Sequence, residues 1–446
     1  MTRKKEPIEV LLKPINDFLH KEASGGILLI IFTVVALAWA NSPWSDSYHD
    51  LWHTYLSINA GDLALNLSFH HWINDGLMVI FFFVVGLEIK RELLVGELSS
   101  FKKASLPVAG AIGGMLVPAL FYVFFTSGTE AANGWGIPMA TDIAFVIGIL
   151  AILGSRVPLG LKVFVVSLAI ADDIGAVMVI AIFYTSHIST SALLAAAVIV
   201  VVLGIMNKLG VKSLIIYSIL GILLWLAVLQ SGIHATIAGV LLAFTIPAKA
   251  RINTKRFSEK TKDLLDKFDS LGEHGENVLT NESRQTNVMA IEENCKKILT
   301  PLQRFEHGLH PWSSFLIMPL FALANAGVTL KGMDLGAALT SSVSIGIIAG
   351  LFLGKQLGIF AFAWLAVKVK LASLPEAVNW RKIYGAGSLA GIGFTMSLFI
   401  AGLAFTDDSI LNLSKIGILT ASLIAGVVGY LILKASLSKV NMKMKP

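Results

Sequence analysis

Five ionisable groups stand inside long apolar stretches of this sequence: Glu88, Asp142, the adjacent Asp172 and Asp173, and Lys355. A charge at the centre of a bilayer costs about 2.5 to 3.5 kcal/mol even on a lenient insertion scale, so each needs a partner, a water-filled cavity or a task. One reading is a structural ion pair, Asp172 with Lys355, holding helices together. That accounts for one carboxylate only. Asp142, Asp172 and Asp173 against one lysine leave two negative charges over, which must hold protons or share a cation. Neighbouring residues on a helix point about 100° apart, so one member of the pair can face Lys355 while the other faces a cavity.

The elements that must position these groups are membrane spans. Of the 446 residues 55% are hydrophobic and 14% charged, with mean hydropathy +0.75, where soluble domains carry about 25% charge. A soluble globular protein is excluded. A helix crossing the hydrocarbon needs roughly 20 mostly apolar residues at about 1.5 Å each. Twelve such runs occur, at 25–41, 72–89, 104–126, 135–154, 159–184, 191–207, 213–230, 232–247, 311–329, 343–367, 383–405 and 411–433. Asp142 then lies about 11 Å from one end of the fourth, and Asp172 and Lys355 about 18 to 20 Å into the fifth and tenth, so all share the middle of a membrane about 30 Å thick.

Lysine and arginine favour cytoplasmic loops, and their alternation tests the count. All but Lys331, Lys355 and Lys415 of the 35 basic residues fall on one side of a twelve-span chain. The expected fold is an all-α polytopic membrane protein with both termini cytoplasmic. Residues 1–24 form the N-terminal tail, 25–247 spans one to eight, 248–303 a polar cytoplasmic loop, 304–434 spans nine to twelve, and 435–446 the C-terminal tail. A cleaved signal peptide ending near Ala38-Trp39-Ala40 is the competing reading of the first run. The formal charge of +6 is dispersed between apolar runs, which argues against nucleic acid. A single cysteine, Cys295, excludes a disulfide framework and any multi-cysteine metal centre.

Residues 55–68 alternate larger apolar with small or polar residues around Asn59-Ala60-Gly61-Asp62 and read as a small external β-hairpin, with a floppy loop as the alternative. In the polar loop, Leu264, Leu265, Phe268 and Leu271, then Val288, Ile291, Ile298 and Leu302, fall at helical spacing and predict one or two amphipathic surface helices. Spans four and eleven carry helix-weakening residues: Gly134, Gly136 and Pro138 before Asp142, and Gly385, Gly387, Gly391 and Gly393 around Tyr384 to Phe394. Glycine costs a helix interior about 1 kcal/mol and proline about 3, so both spans are expected to break near the midplane. For Gly385 and Gly387, close helix packing is an equal alternative. The two spans run in opposite directions, and the chain around them can form inverted repeats. A break exposes a positive helix N-terminus and a negative C-terminus; Asp142 is placed to balance the first and Lys355 the second, leaving Asp172 and Asp173 as the exchangeable site.

Seven segments carry a family resemblance: 86–92 around Glu88 and Arg91, 140–145 around Thr141 and Asp142, 171–176 around the aspartate pair, 231–236 around His234, 306–312 with Glu306, His307 and His310, 354–358 around Lys355, and Gly391 to Ser397. Together they resemble the NhaA-type sodium/proton antiporters over nearly the whole chain. The resemblance implies twelve helices with crossed, unwound fourth and eleventh spans, and pH-regulated export of Na+ or Li+ in exchange for H+ by alternating access. It implies a bacterial inner (cytoplasmic) membrane, surrounding lipid and a homodimer joined through the hairpin, with no cofactor. By the family pattern Asp173 is the principal Na+ ligand and Asp172 its titrating neighbour that can pair with Lys355. Thr141 and Asp142 complete the site. Glu88, Arg91, Glu306, His307 and His310 match a cytoplasmic cluster tied to pH activation. Two departures stand out: a longer segment before Glu306, and Gln356 where the family often has proline.

Sodium favours oxygen ligands and seeks the same carboxylate oxygens as protons, so competition for one site would be the coupling. Histidine changes charge near neutral pH, which suits His307 and His310, one turn apart, to sensing. His234 reads as a packed, hydrogen-bonded residue. Two rival classes remain. An intramembrane enzyme could use an aspartyl dyad, or bind magnesium for prenyl transfer, but the latter needs a third carboxylate where Ala176 stands. A cation channel has no need of a titratable pair coupled to a lysine.

Overall fold

The computed structural model describes residues 24–60, 63–185, 188–271 and 281–438. The expected N-terminal tail, the signal-peptide alternative's leading segment, the hairpin tip Gly61-Asp62 and the end of the C-terminal tail lie outside the described residues.

Helices dominate, with one two-stranded sheet. The first helix, α1 (Ser24–Ala40), turns by 112° into α2 (Ser45–His53), a mostly polar helix that the sequence reading did not foresee. Its buried face is only Tyr48 and Trp52, one turn apart. Strands β1 (Tyr55–Ala60) and β2 (Leu63–Ser68) pair antiparallel with Tyr55 opposite Ser68, in agreement with the predicted hairpin. Then follow α3 (Phe69–Val95), α4 (Phe101–Thr126), a 3-10 stretch Glu130–Met139, α5 (Ile143–Leu153), α6 (Leu159–Phe183), α7 (Thr190–Lys208), α8 (Leu214–Ser231) and α9 (Thr236–Thr245). The polar loop holds two helices, α10 (Thr254–Ser270) and α11 (Glu282–Ile298), packed together. The remainder is α12 (301–325), α13 (Leu335–Thr340), α14 (Ser342–Lys368), α15 (Trp380–Ala390), α16 (Phe394–Ala404) and α17 (Asp408–Ser438).

Eight helices among the described residues are long and apolar enough to cross a membrane, or ten when each bent pair counts as one span. The solvent they are built for is evident on their outer faces. Leu194 and Val201 of α7, Ile215 and Ile222 of α8 and Leu423 of α17 are exposed large aliphatics, an arrangement that hydrocarbon tolerates and water does not. The chain is an all-α membrane protein. Its main core gathers Phe82, Leu168, Phe321, Ile359 and Phe399 from helices distant in sequence. Closest approach comes at Gly113 of α4 and Gly358 of α14, where a β-carbon on either would strike the other's carbonyl; small residues let helix backbones touch when no water drives them together.

The ninth apolar run differs from its predicted limits. Its helix starts at 301, where Thr300 and Gln303 form a capping box, and ends at Asn325, so Glu306, His307 and His310 stand on the helix itself. Pro311 does not stop it, because the widened π turn Ser313–Ile317 follows at once. A second π turn, Ala349–Gly354, immediately precedes Lys355.

Candidate ion-binding site

Two helix interruptions meet at the centre of the site. The run through the fourth apolar stretch is extended at Ala140, Thr141 and Asp142, and that through the eleventh opens at Gly391 to Gly393 with a 45° bend. Backbone polar groups freed inside a membrane protein need new partners, and here each interruption supplies them to the other. The Asp142 amide donates to the Ile392 carbonyl at 2.6 Å, Thr141 Oγ1 lies 2.9 Å from the Ala390 carbonyl, and Ser397 Oγ donates to the Ile137 carbonyl at 2.7 Å. Gly385 and Gly387 sit within α15 against Leu433 and Gln356, so these two serve packing and Gly391 and Gly393 the opening.

Asp142 caps both halves. Oδ1 accepts the amides of Ala144 and Phe145 at 3.1 and 3.2 Å, which closes the start of α5. Oδ2 accepts the Thr395 amide at 3.1 Å and the Thr395 hydroxyl, at the start of α16. Each helix N-terminus carries roughly half a positive charge, so two of them offset one carboxylate. The expected balance at the N-terminal ends is therefore met. The counterpart expected of Lys355 is not: the Thr141 hydroxyl reaches the α15 C-terminus, and the lysine goes elsewhere.

Lys355, fully buried, donates to Asp172 Oδ2. The same oxygen accepts from Thr141 Oγ1 at 2.7 Å, so Thr141 joins the interruption to the carboxylate. The other oxygen, Asp172 Oδ1, is buried with no hydrogen-bond partner. Gln356 Oε1 accepts the Ser388 hydroxyl at 2.7 Å and ties α14 to α15. Asp173 is 5% exposed and receives no hydrogen bond among the described residues, while the charges of Asp172, Glu88, Asp142 and Lys355 all act on it.

The second set of predicted residues assembles at the end of α3 and the start of α12. Arg91 pairs with Glu306 and lies 3.6 Å from Glu92. Glu306 Oε2 is buried and unpartnered. Glu88, one turn before Arg91 and Glu92 on α3, feels the charges of Glu306, Arg91 and Glu92 and lies within electrostatic range of Asp173. His307 and His310 stand exposed on the same helix, and the charges of Glu306, His307 and Arg91 reach His310.

Sequence reasoning missed Asp75. Its carboxylate lies 3.3 Å from His234 Nε2, whose Nδ1 meets the Thr236 hydroxyl at 2.8 Å. His234 is packed and hydrogen-bonded as expected, but the partner 159 positions away (234 − 75) left no local signal. Asp75 lies in a π turn, Trp72–Leu77, and a charge there could have been flagged from its place in an apolar run.

A family model described as Na+/H+ antiporter 1 matches residues 16–433. The protein named Na(+)/H(+) antiporter NhaA of Koribacter versatilis is 51% identical over 427 residues, 96% of this chain and 92% of that one. Its namesake from Oleidesulfovibrio alaskensis is 50% identical over 97% of this chain and 96% of its own. A Helicobacter pylori protein of the same name is 48% identical over 94% and 95%.

Proposed function

The chain belongs to the Na+/H+ antiporter 1 family and is an Na+/H+ exchanger; on that premise we propose that Na+ and H+ exchange by taking turns on Asp173 and the free oxygen of Asp172. One observation carries this reading. Among the described residues Asp142 is offset by two helix N-termini and Asp172 is bonded to Lys355, while Asp173 receives no hydrogen bond and feels Lys355 only through space. An uncompensated charge at this depth costs about 2.5 to 3.5 kcal/mol, so Asp173 holds either a proton or a cation.

Sodium is a hard cation that needs several oxygens. Asp173, Asp172 Oδ1 and the Thr141 hydroxyl supply them. Its arrival displaces the proton from Asp173; its departure returns Asp173 to H+. Lys355 keeps Asp172 charged yet neutral as a pair, and it can release Asp172 to the cation when sodium binds. A site that crosses the membrane only when loaded turns this rivalry into exchange by alternating access. Li+ shares the chemistry. A channel has no use for such rivalry, and an aspartyl enzyme no use for a buried lysine on one of its acids.

We assign twelve spans, the ten above with the short α9 and the more polar α12 added, the two interruptions at the midplane, and inverted repeats around them. Basic residues place both termini on the cytoplasmic side of a bacterial inner membrane. Arg91, Glu306, His307 and His310 form the pH-responsive entrance, with Glu88 carrying its charge state to Asp173. The hairpin β1–β2, too small to be stable alone, joins two protomers. In acid-loaded vesicles, sodium should collapse the pH gradient with the native chain and leave it intact with Asp173→Asn; undiminished exchange by that variant removes Asp173 from the mechanism.

A further inference from the structure

Between α1, α5 and α17 runs a groove of about 650 Å³, floored by Ile392 and Phe394 on either side of Gly393. Its walls are aliphatic, with Ile30, Ile149, Val427 and Leu431 among them. Its polar side chains are few, and two are engaged: Thr33 Oγ1 donates to the Leu29 carbonyl at 2.7 Å, and Ser422 Oγ accepts the Phe394 amide at 3.2 Å; the third, Tyr430, stands at the Leu431 end. A cation or a charged metabolite finds no ligands here. Hydrocarbon finds a fitting surface. From Leu419 to Leu431 the groove follows α17 for about 18 Å, close to one leaflet of a hydrocarbon core about 30 Å thick.

Positive charge gathers at the Leu431 end. Lys434 Nζ stands 5.5 Å from the centre of the Tyr430 ring, and Tyr430 lines the groove there. Arg156, exposed, ends the 3-10 turn Gly154–Arg156 that follows α5, four residues after the lining residue Ile152. Basic residues beside an apolar cleft at the membrane surface attract anionic headgroups.

The geometry points to a phospholipid site: one acyl chain of an anionic lipid lies in this groove against Ile392 and Phe394, with its phosphate at Lys434 and Arg156. The lipid would complete the wall behind the second helix interruption, since the Phe394 amide at the groove floor begins the helix that Asp142 caps. None of the three residues proposed to exchange Na+ and H+, Asp173, Asp172 and Thr141, lines this groove, so its failure would leave the exchange reading untouched.

The test uses the purified full-length chain and phosphatidylglycerol, with phosphatidylcholine as the neutral comparison. Gly426 lines the groove, and a β-carbon there would meet only Ile392 and Ile149 side chains at 3.5 and 3.6 Å, so Gly426→Leu fills the space without striking backbone. In native mass spectrometry Gly426→Leu should retain about tenfold less phosphatidylglycerol. The double variant Lys434→Gln, Arg156→Gln should lose its preference over phosphatidylcholine by about fivefold per charge. Because a variant can misfold, the native chain is also exposed to phosphatidylglycerol bearing a photoreactive group on its acyl chain. Labels should concentrate on α5 and α17 residues lining the groove. Labels spread evenly over the outer helices, or cross-links to a second copy of the chain at this face, would overturn the assignment, as would undiminished retention by Gly426→Leu.

Discussion

Asp142 and Asp173 are the same residue type, both buried, and they live in opposite conditions. Asp142 is met by four donors and two helix N-termini; among the described residues Asp173 receives no donor and lies within electrostatic range of three other carboxylates and one lysine. A buried charge that is fully answered belongs to the architecture. One that is left unanswered must be answered by something that comes and goes. Asp172 stands between the extremes, with one oxygen saturated by Lys355 and Thr141 and the other bare.

The contrast can be broken most severely at Asp173. Asp173→Asn should reduce sodium-driven proton exchange by at least about a hundredfold, a loss of roughly 2.7 kcal/mol, while the thermal midpoint stays near the native value; exchange within tenfold of native would make Asp173 another structural acid. Lys355→Met strands Asp172 as a buried unpaired charge, which typically costs about 3 to 5 kcal/mol. The midpoint should fall sharply, and adding Asp172→Asn should restore most of it, a non-additivity that a double-mutant cycle measures. At Asp142 the effect should divide the other way. Thr395→Val removes one hydroxyl from a charged acceptor, worth about 1.5 to 3 kcal/mol, so stability should drop while the apparent sodium affinity of the folded fraction holds. The smallest expected effect is Glu306→Gln, which should shift the pH at which exchange begins and leave sodium affinity at the optimum pH unchanged. A fall in that affinity would merge the entrance with the ion site.

Much of this contrast was legible in the residues. Gly391, Gly393 and Pro138 mark where helices open because their backbone chemistry is local, and a lone lysine against three acids exposed the charge imbalance before any geometry. Long-range partners were not legible. Asp142 was placed at a half-helix N-terminus, but Thr395 lies 253 positions away, so the second helix it caps left no local signal; for Lys355, read both as a partner of Asp172 and at a helix C-terminus, the sequence did not choose, and it stands at Asp172. Helix α2 escaped because its buried face is two residues wide. The π turn before Lys355 escaped because no residue type demands it; it lies where α14 packs closely on α4, at Gly354 against Pro118 and at Gly358 against Gly113.

The most direct measurement is proton release on sodium binding, followed with a pH indicator in weakly buffered purified protein. The account predicts that sodium liberates protons from the native chain, that lithium does the same, and that Asp173→Asn liberates fewer. Sodium binding to the native chain with no proton set free would contradict it.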